Sequence, residues 1–146
     1  SEAFSKKIIS SKKMSNFFLW DLVKYKCSRI EDGIYLPFIN KWMKKKKSGM
    51  LLGCNMGINK DDLMAINGFD EDYNFPGGGE DSDIEWRLKE IEGIVFKSMR
   101  FKAIVYHLYH PIRFDEAQEL ACTEYLNKKI KLGHFFCKNG IKKVDK

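Results

Sequence analysis

The sequence predicts an α+β domain, a small mixed sheet with about four helices around it. Three observations lead there. Two stretches, "MLLGCNMGINK" and "AIVYHLYH", alternate in side-chain character with a period of two. Three others, 59–68, 80–91 and 115–133, carry apolar residues at helical spacing between recognisable end signals. The chain has 146 residues, 44% of them apolar, with 11 Phe and 3 Trp, which suits one domain spanning 1–146 with a core of its own.

In chain order, the opening "SEAFSKKIISSKK" is polar and poorly patterned. A helix is expected across "SNFFLWDLVKYKCSRI", where Phe17, Trp20, Leu22 and Val23 give a broad apolar face. "EDGIYLP" is a turn and a short extended piece ended by Pro37. "FINKWMKKKK" is a second helix with a basic tail, Lys44 to Lys47. In the strand expected over 50–59, Met50, Leu52, Cys54, Met56 and Ile58 face one way. Leu51, Gly53, Asn55, Gly57 and Asn59 form a second, small and polar face that lets a ligand or another backbone come close.

"NKDDLMAINGF" is a short helix, capped by Asn59 and ended at Gly68 in the left-handed region. "DEDYNFPGGG" is a loop. The next helix starts near Glu80, with Ile84, Leu88 and Ile91 in the core and Asp81 on the protein-facing side of its first turn. "GIVFKSMRFKAIVYHLYHP" is a turn and two short strands. In the second, Val105, His107 and Tyr109 face one way and Tyr106, Leu108 and His110 the other, so the two histidines would not share a metal. "DEAQELACTEYLNKKIKLG" is a helix with acids first and lysines last, matching its dipole, and Gly133 ends it. The closing "IKKVDK" is expected to fray.

Net charge is +6, which favours an anionic partner: a phosphate or nucleotide, an acidic glycan, nucleic acid or a membrane surface. Cys27, Cys54, Cys122 and Cys137 are widely spaced, with no C-x-x-C pair, and read as free thiols in a reducing compartment. No apolar run is long enough to cross a bilayer and no signal peptide opens the sequence, so the expected location is cytoplasmic.

"PGGGEDSD" concentrates the chemistry. Its glycines, Gly79 included, allow a ligand to approach the backbone. The helix that follows offers free N–H groups, and Glu80, Asp81 and Asp83 stand at that start. A helix cap alone needs one acceptor, so three carboxylates point to a site as well as a cap.

The order of motifs resembles the C-terminal half of GT-A-type glycosyltransferases, those of family 2 and of the galactosyltransferase C-terminal domain type. It is similar to bacterial enzymes of lipopolysaccharide-core and capsule assembly. The matching residues are "GCNMGINKDDLMAINGFDEDY", "GGEDSDIEWRL" and "RFKAIVYHLYHP", and the likeness covers about residues 50–140. It implies inverting transfer from a nucleotide-sugar donor to a saccharide acceptor. Asp81 matches the base on the acceptor hydroxyl, and Glu80 the neighbour that holds acceptor hydroxyls. Gly53 and Asn55 match a strand lining the donor and acceptor pocket. His107 matches a histidine that joins a Mn or Mg site, with His110 the lesser candidate.

Two departures accompany the resemblance. Where relatives carry a tryptophan before the acidic turn, this chain has Gly77, which moves the sugar-stacking role to Phe75 or Tyr73. No D-x-D motif precedes the matched region, so the nucleotide-binding half is expected to lie before residue 1, leaving this chain the acceptor side, inactive alone and a weak binder of metal. An apolar edge exposed in this way would favour self-association. The basic residues allow peripheral contact with the inner face of the cell membrane. The alternative is a non-catalytic basic module for anions or nucleic acid. The acidic character of the glycine-rich site disfavours it, since nucleic-acid surfaces interleave Lys and Arg with aromatics, and nucleic acid is not an expected partner.

Overall fold

The computed structural model describes residues 1–11, 19–39, 51–74, 79–111 and 115–144. The chain forms two compact units. The first comprises Ser1–Gly49 with Lys97–Pro111, and the second Met50–Phe96 with Ile112–Lys146.

The first unit is built on α1 (Glu2–Ser11), α2 (Leu19–Lys24) and a 3₁₀ turn, Ile30–Gly33. The opening stretch, expected to lack pattern, is helical. Phe4 and Ile8 share its inner face at i,i+4 spacing, and Glu2 pairs with Lys6 on the outside at 2.7 Å. Phe4 is buried against the Tyr25 ring, 5.8 Å between centroids. In α2 the buried residue is Leu22, while Trp20 is 80% exposed. Leu22 packs on the 3₁₀ turn, where a Cβ on Gly33 would stand 3.1 Å from its Cδ1. Lys26 and Arg29 both take positive φ and turn the chain after α2. The later segment closes on this frame: Arg100 Nε donates to Asp32 Oδ1 at 2.6 Å, Leu36 N–H to the Phe101 carbonyl at 3.0 Å, and Tyr109 N–H to Ser5 Oγ at 2.7 Å. Phe17 and the basic tail Lys44 to Lys47 lie outside the described residues.

The second unit carries α3 (Lys60–Ala65), α4 (Glu80–Lys89) and α5 (Glu116–Leu132). The end signals act as expected. The Asn59 side chain accepts from Asp61 N–H, Gly68 is left-handed at φ 77, and α5 opens on a capping box between Asp115 and Gln118 and closes at Gly133 with φ 65. Ile66, Ile84 and Leu88 form the core, with Ile91 packed against it. The expected strand over 50–59 is instead a loop in its described part, turning at Gly53 and Cys54, with Asn55 N–H donating to the Leu52 carbonyl at 2.8 Å. Residues 94–99 and 104–111 run without ladder partners. Among the described residues the one strand-type pairing is the bridge between Asn139 and Lys143. Alternation alone makes no strand without a neighbour to bond to, and Gly53 and Gly57 bring no side chains to a sheet face.

The C-terminal segment, expected to fray, is docked in its described part, which ends at residue 144. Asn67 donates through Nδ2 to the carbonyls of Cys137 and Lys142, both at 2.8 Å, and accepts from Lys142 N–H at 2.9 Å. A Cβ on Gly140 would fall 1.9 Å from the Asn67 carbonyl oxygen, so the clasp closes only around glycine. All four cysteines are free thiols. Burial pushes the Cys122 and Cys137 thiols above their ordinary range. Among the described residues, no helix is long and apolar enough to cross a membrane.

Candidate functional site

The start of α4 is made by backbone geometry. Gly79 sits in the N-cap position at φ 79, a left-handed conformation natural to glycine, and no side chain caps the helix from there. This leaves the acids of the first turn available for other work. Asp81 Oδ1 accepts from Ser82 N–H at 2.8 Å, and its Oδ2 accepts from Gly53 N–H at 3.2 Å. The second contact joins residues 28 positions apart and pins the 51–55 turn to the helix start. The structure therefore brings Gly53, Asp81, Glu80 and Gly79 together. Asn55 follows in the same bend, exposed to solvent. Phe75 and Gly77 lie outside the described residues. Asp81 and Glu80 are both half-buried, so their carboxylates can be ordered by the protein and still reach a ligand. Each oxygen of Asp81 takes one amide proton and keeps a further lone pair for a hydroxyl.

Asp83, the third acid of the cluster, does different work. It is fully buried and holds Arg87 one turn on, Nε to Oδ2 at 2.6 Å, while its Oδ1 takes the Lys129 ammonium of α5. Lys129 also reaches Asp70 Oδ2 at 2.6 Å. Arg87 donates through Nη1 to the carbonyls of Ile66 at 2.9 Å and Gly68 at 2.7 Å. Tyr73 OH donates to Asp83 at 3.3 Å, and Tyr125 OH lies 3.2 Å from Asp70 Oδ2 and 3.1 Å from Asp72 Oδ2. Burial first, and the neighbouring carboxylates second, push both phenols well above the ordinary tyrosine range. Tyr73 is thus an internal hydrogen-bond donor, stacked edge-on to Tyr125 at 5.1 Å, and not a free sugar platform. The i,i+4 spacing of Asp83 and Arg87 was a signal for this network. Lys129, on a lysine-rich helix end, gave none.

A depression of about 370 Å³ lies beside this network, lined by Asp70, Tyr125, Lys129, Phe136 and Asn139 among others. Of its carboxylates, Asp70 serves the buried pair with Lys129, and Asp72 accepts from Asn139 Nδ2 at 2.9 Å.

His107 and His110 belong to the first unit. Strand alternation predicted that they point apart. Instead their Nε2 atoms lie 2.9 Å from each other, both exposed, because residues 104–111 have no ladder to hold a regular pleat. The Nδ1 of His110 bonds the Pro111 carbonyl at 3.1 Å. As a donor, that nitrogen leaves Nε2 of His110 to accept from Nε2–H of His107, so its lone pair faces the other ring. Two imidazole ligands at about 2.1 Å and a right angle would sit about 3 Å apart, a separation that this hydrogen-bonded pair shares. Among the described residues no group of three His, Cys, Asp or Glu completes such a site.

Residues 35–111 match a family model described as the N-terminal domain of galactosyltransferase. The matched segment contains Gly53, Asn55, Gly79, Glu80, Asp81, His107 and His110. No curated protein and no solved structure matches the chain.

Proposed function

The chain belongs to the galactosyltransferase family, and on that premise we propose that it supplies the acceptor side and catalytic base of an inverting sugar transferase. At the coarse level its domain is one of glycosyl transfer, with a nucleotide-sugar donor and an acceptor as partners. The finer reading makes the acceptor a saccharide, in bacterial cell-surface polysaccharide or lipopolysaccharide synthesis at the cytoplasmic side. A family 2, GT-A-type fold is part of it. The matched family model is described as an N-terminal domain, so assignment to a C-terminal half rests on motif order alone.

The carrying observation is the Asp81 carboxylate, tied to Gly53 N–H at 3.2 Å. A base must be positioned before its basicity matters. Here one oxygen is set by the helix start and the other by the turn that would line the pocket. In the proposed step, Asp81 accepts the proton of the attacking acceptor hydroxyl, and that oxygen forms the new bond at the sugar carbon as the bond to the nucleotide diphosphate breaks. Glu80 holds neighbouring hydroxyls of the acceptor. His107 and His110 would hold the divalent cation, which when bound neutralises charge on the leaving diphosphate. Mn and Mg prefer oxygen ligands, so the histidine pair needs carboxylates from elsewhere in the complete enzyme.

Asp81→Asn tests this. The amide cannot take a proton, so turnover should fall on the order of 10²–10⁴-fold. It can keep one of the two amide hydrogen bonds, so stability should fall by only about 1 kcal/mol. Steady-state transfer by the complete protein, beside its melting curve, reads both. Near-normal turnover would sink the assignment of Asp81 as base.

A further inference from the structure

We infer that the first unit is a docking surface for an anionic lipid bilayer, a role separate from sugar transfer. The charge of the chain is divided very unevenly. By sequence, the first unit holds fifteen Lys and Arg against four Asp and Glu, a net charge of +11, while the second holds eleven against sixteen, a net charge of −5. Three of the four acids in the first unit are already occupied: Glu2 by Lys6, Asp21 by Lys7, and Asp32 by Arg29 and Arg100. Lys24 and Lys26 are exposed with no carboxylate partner among the described residues.

The same unit displays large apolar side chains. Trp20 is 80% and Phe38 82% exposed, with Val23 and Ile39 also open. Trp20 and Val23 are three apart on α2 and share a face, with Lys24 beside them. Lysine heads together with Trp, Phe and aliphatic side chains are the composition that enters the headgroup and acyl boundary of a membrane. Each part has a partner there: anionic headgroups for the ammonium groups and acyl chains for the apolar ones.

Two other occupants fit less well. Nucleic-acid surfaces interleave Lys and Arg with aromatics on which bases stack, and offer aliphatic side chains no partner. Here Val23 and Ile39 gain nothing from base stacking. A second copy would bring together two units that each carry a net charge of +11 by sequence.

Vesicle flotation of the full chain tests the inference. Vesicles of phosphatidylcholine are compared with vesicles of one part phosphatidylglycerol to two parts phosphatidylcholine. The expected result is binding to the anionic vesicles that falls on the order of tenfold or more on neutral ones. It should fall similarly in 1 M salt, where screening shortens to about 3 Å. Trp20→Ser with Phe38→Ser should weaken it by about tenfold. The melting curve of that variant is measured alongside, and if the variant melts the wild-type lipid and salt comparisons decide. Absence of binding, equal binding to both vesicles, or undiminished binding by the folded double variant would overturn the inference. So would competition by duplex DNA with no vesicle binding, or a dimer in light scattering that the double variant abolishes. None of these readings involves transfer activity, so failure here and failure of the Asp81 assignment are distinguishable.

Discussion

The two units solve the problem of charge in opposite ways. The second takes five of its charges inside. Asp83 and Arg87 are wholly buried, Lys129 and Asp70 nearly so, and each charge meets an opposite one or several hydrogen-bond partners. The first keeps its charges outside, and its ion pairs are surface pairs such as Lys7 with Asp21 at 2.9 Å. Among the described residues both units leave eleven large apolar side chains exposed, and they differ in what they bury. Ile66, Ile84, Leu88, Cys122 and Cys137 are the buried hydrophobics of the second unit, whereas the described part of the first buries Phe4 and Leu22 and leaves Trp20 and Phe38 open. Burying two apolar side chains offsets only a small part of the chain entropy lost on ordering a unit of this size. The lesson is that, among the described residues, the second unit buries the larger apolar core, while the first holds the two most exposed aromatics, Trp20 and Phe38.

The largest expected effect breaks the comparison at the buried network. Asp83→Asn leaves Arg87 and Lys129 each short of a carboxylate in a site closed to water. Removing one partner of a buried pair costs about 3–5 kcal/mol. Asp21→Asn, which removes the surface partner of Lys7, should cost less than about 1 kcal/mol. Denaturant melts of both variants check the contrast. Equal losses would mean that Asp83 is better hydrated than its burial indicates.

What was legible in the sequence separates along the same line. Where local chemistry decides, reading succeeds. Asn59, Gly68, Asp115 and Gly133 mark helix ends through side-chain oxygens and left-handed backbone, both properties of single residues. The core stripe Ile84, Leu88 and Ile91 follows from helical period. The start of α4 at Glu80 was legible too, whereas Gly53 and Asp81 were linked to one pocket only through the family resemblance. Where the outcome depends on distant partners, reading fails. Residues 51–59 alternate, yet no neighbouring strand is described, so the pattern ends in a loop. Asp83 lies two positions from Asp81 and shares its chemistry. Its pairing with Arg87 one turn on and with Lys129 from 46 residues away makes it a structural ion and leaves Asp81 at the site. His107 and His110 meet for the mirror reason: without a pleat, nothing holds their rings apart.

The next effect sharpens the comparison through pH. Tyr73 and Tyr125 are held protonated by burial and by the carboxylates of Asp83, Asp70 and Asp72. In the unfolded chain a tyrosine ionises near pH 10. Above that pH the unfolded state releases phenolic protons that the folded state keeps, so it binds fewer protons and stability falls as pH rises. Below it both states are protonated and the contribution is fully present. Stability curves between pH 8 and about 11 should therefore bend downward in the wild type, and less so in Tyr73→Phe. That variant should also lose about 1 kcal/mol at neutral pH with its hydrogen bond to Asp83. A variant that falls as steeply as the wild type would show that the alkaline loss comes from other groups.

The smallest expected effect bears on the first unit. Trp20 is 80% exposed, so replacement by serine removes only about a fifth of its surface from protein contact. A tryptophan buries about 150–250 Å² when fully enclosed, and at about 25 cal/mol per Å² a fifth of that is about 1 kcal/mol. Ile84→Ala, at a site with no exposure at all, should cost about 2–5 kcal/mol through lost burial and the cavity left behind. The two melts measured together ask whether the open aromatic of the first unit belongs to its surface or to its stability. A small loss for Trp20→Ser would keep that side chain free for an outside partner. A loss matching Ile84→Ala would mean that the folded chain in solution covers Trp20 with its own residues, and the contrast between the open aromatics of the first unit and the buried core of the second would fail at Trp20.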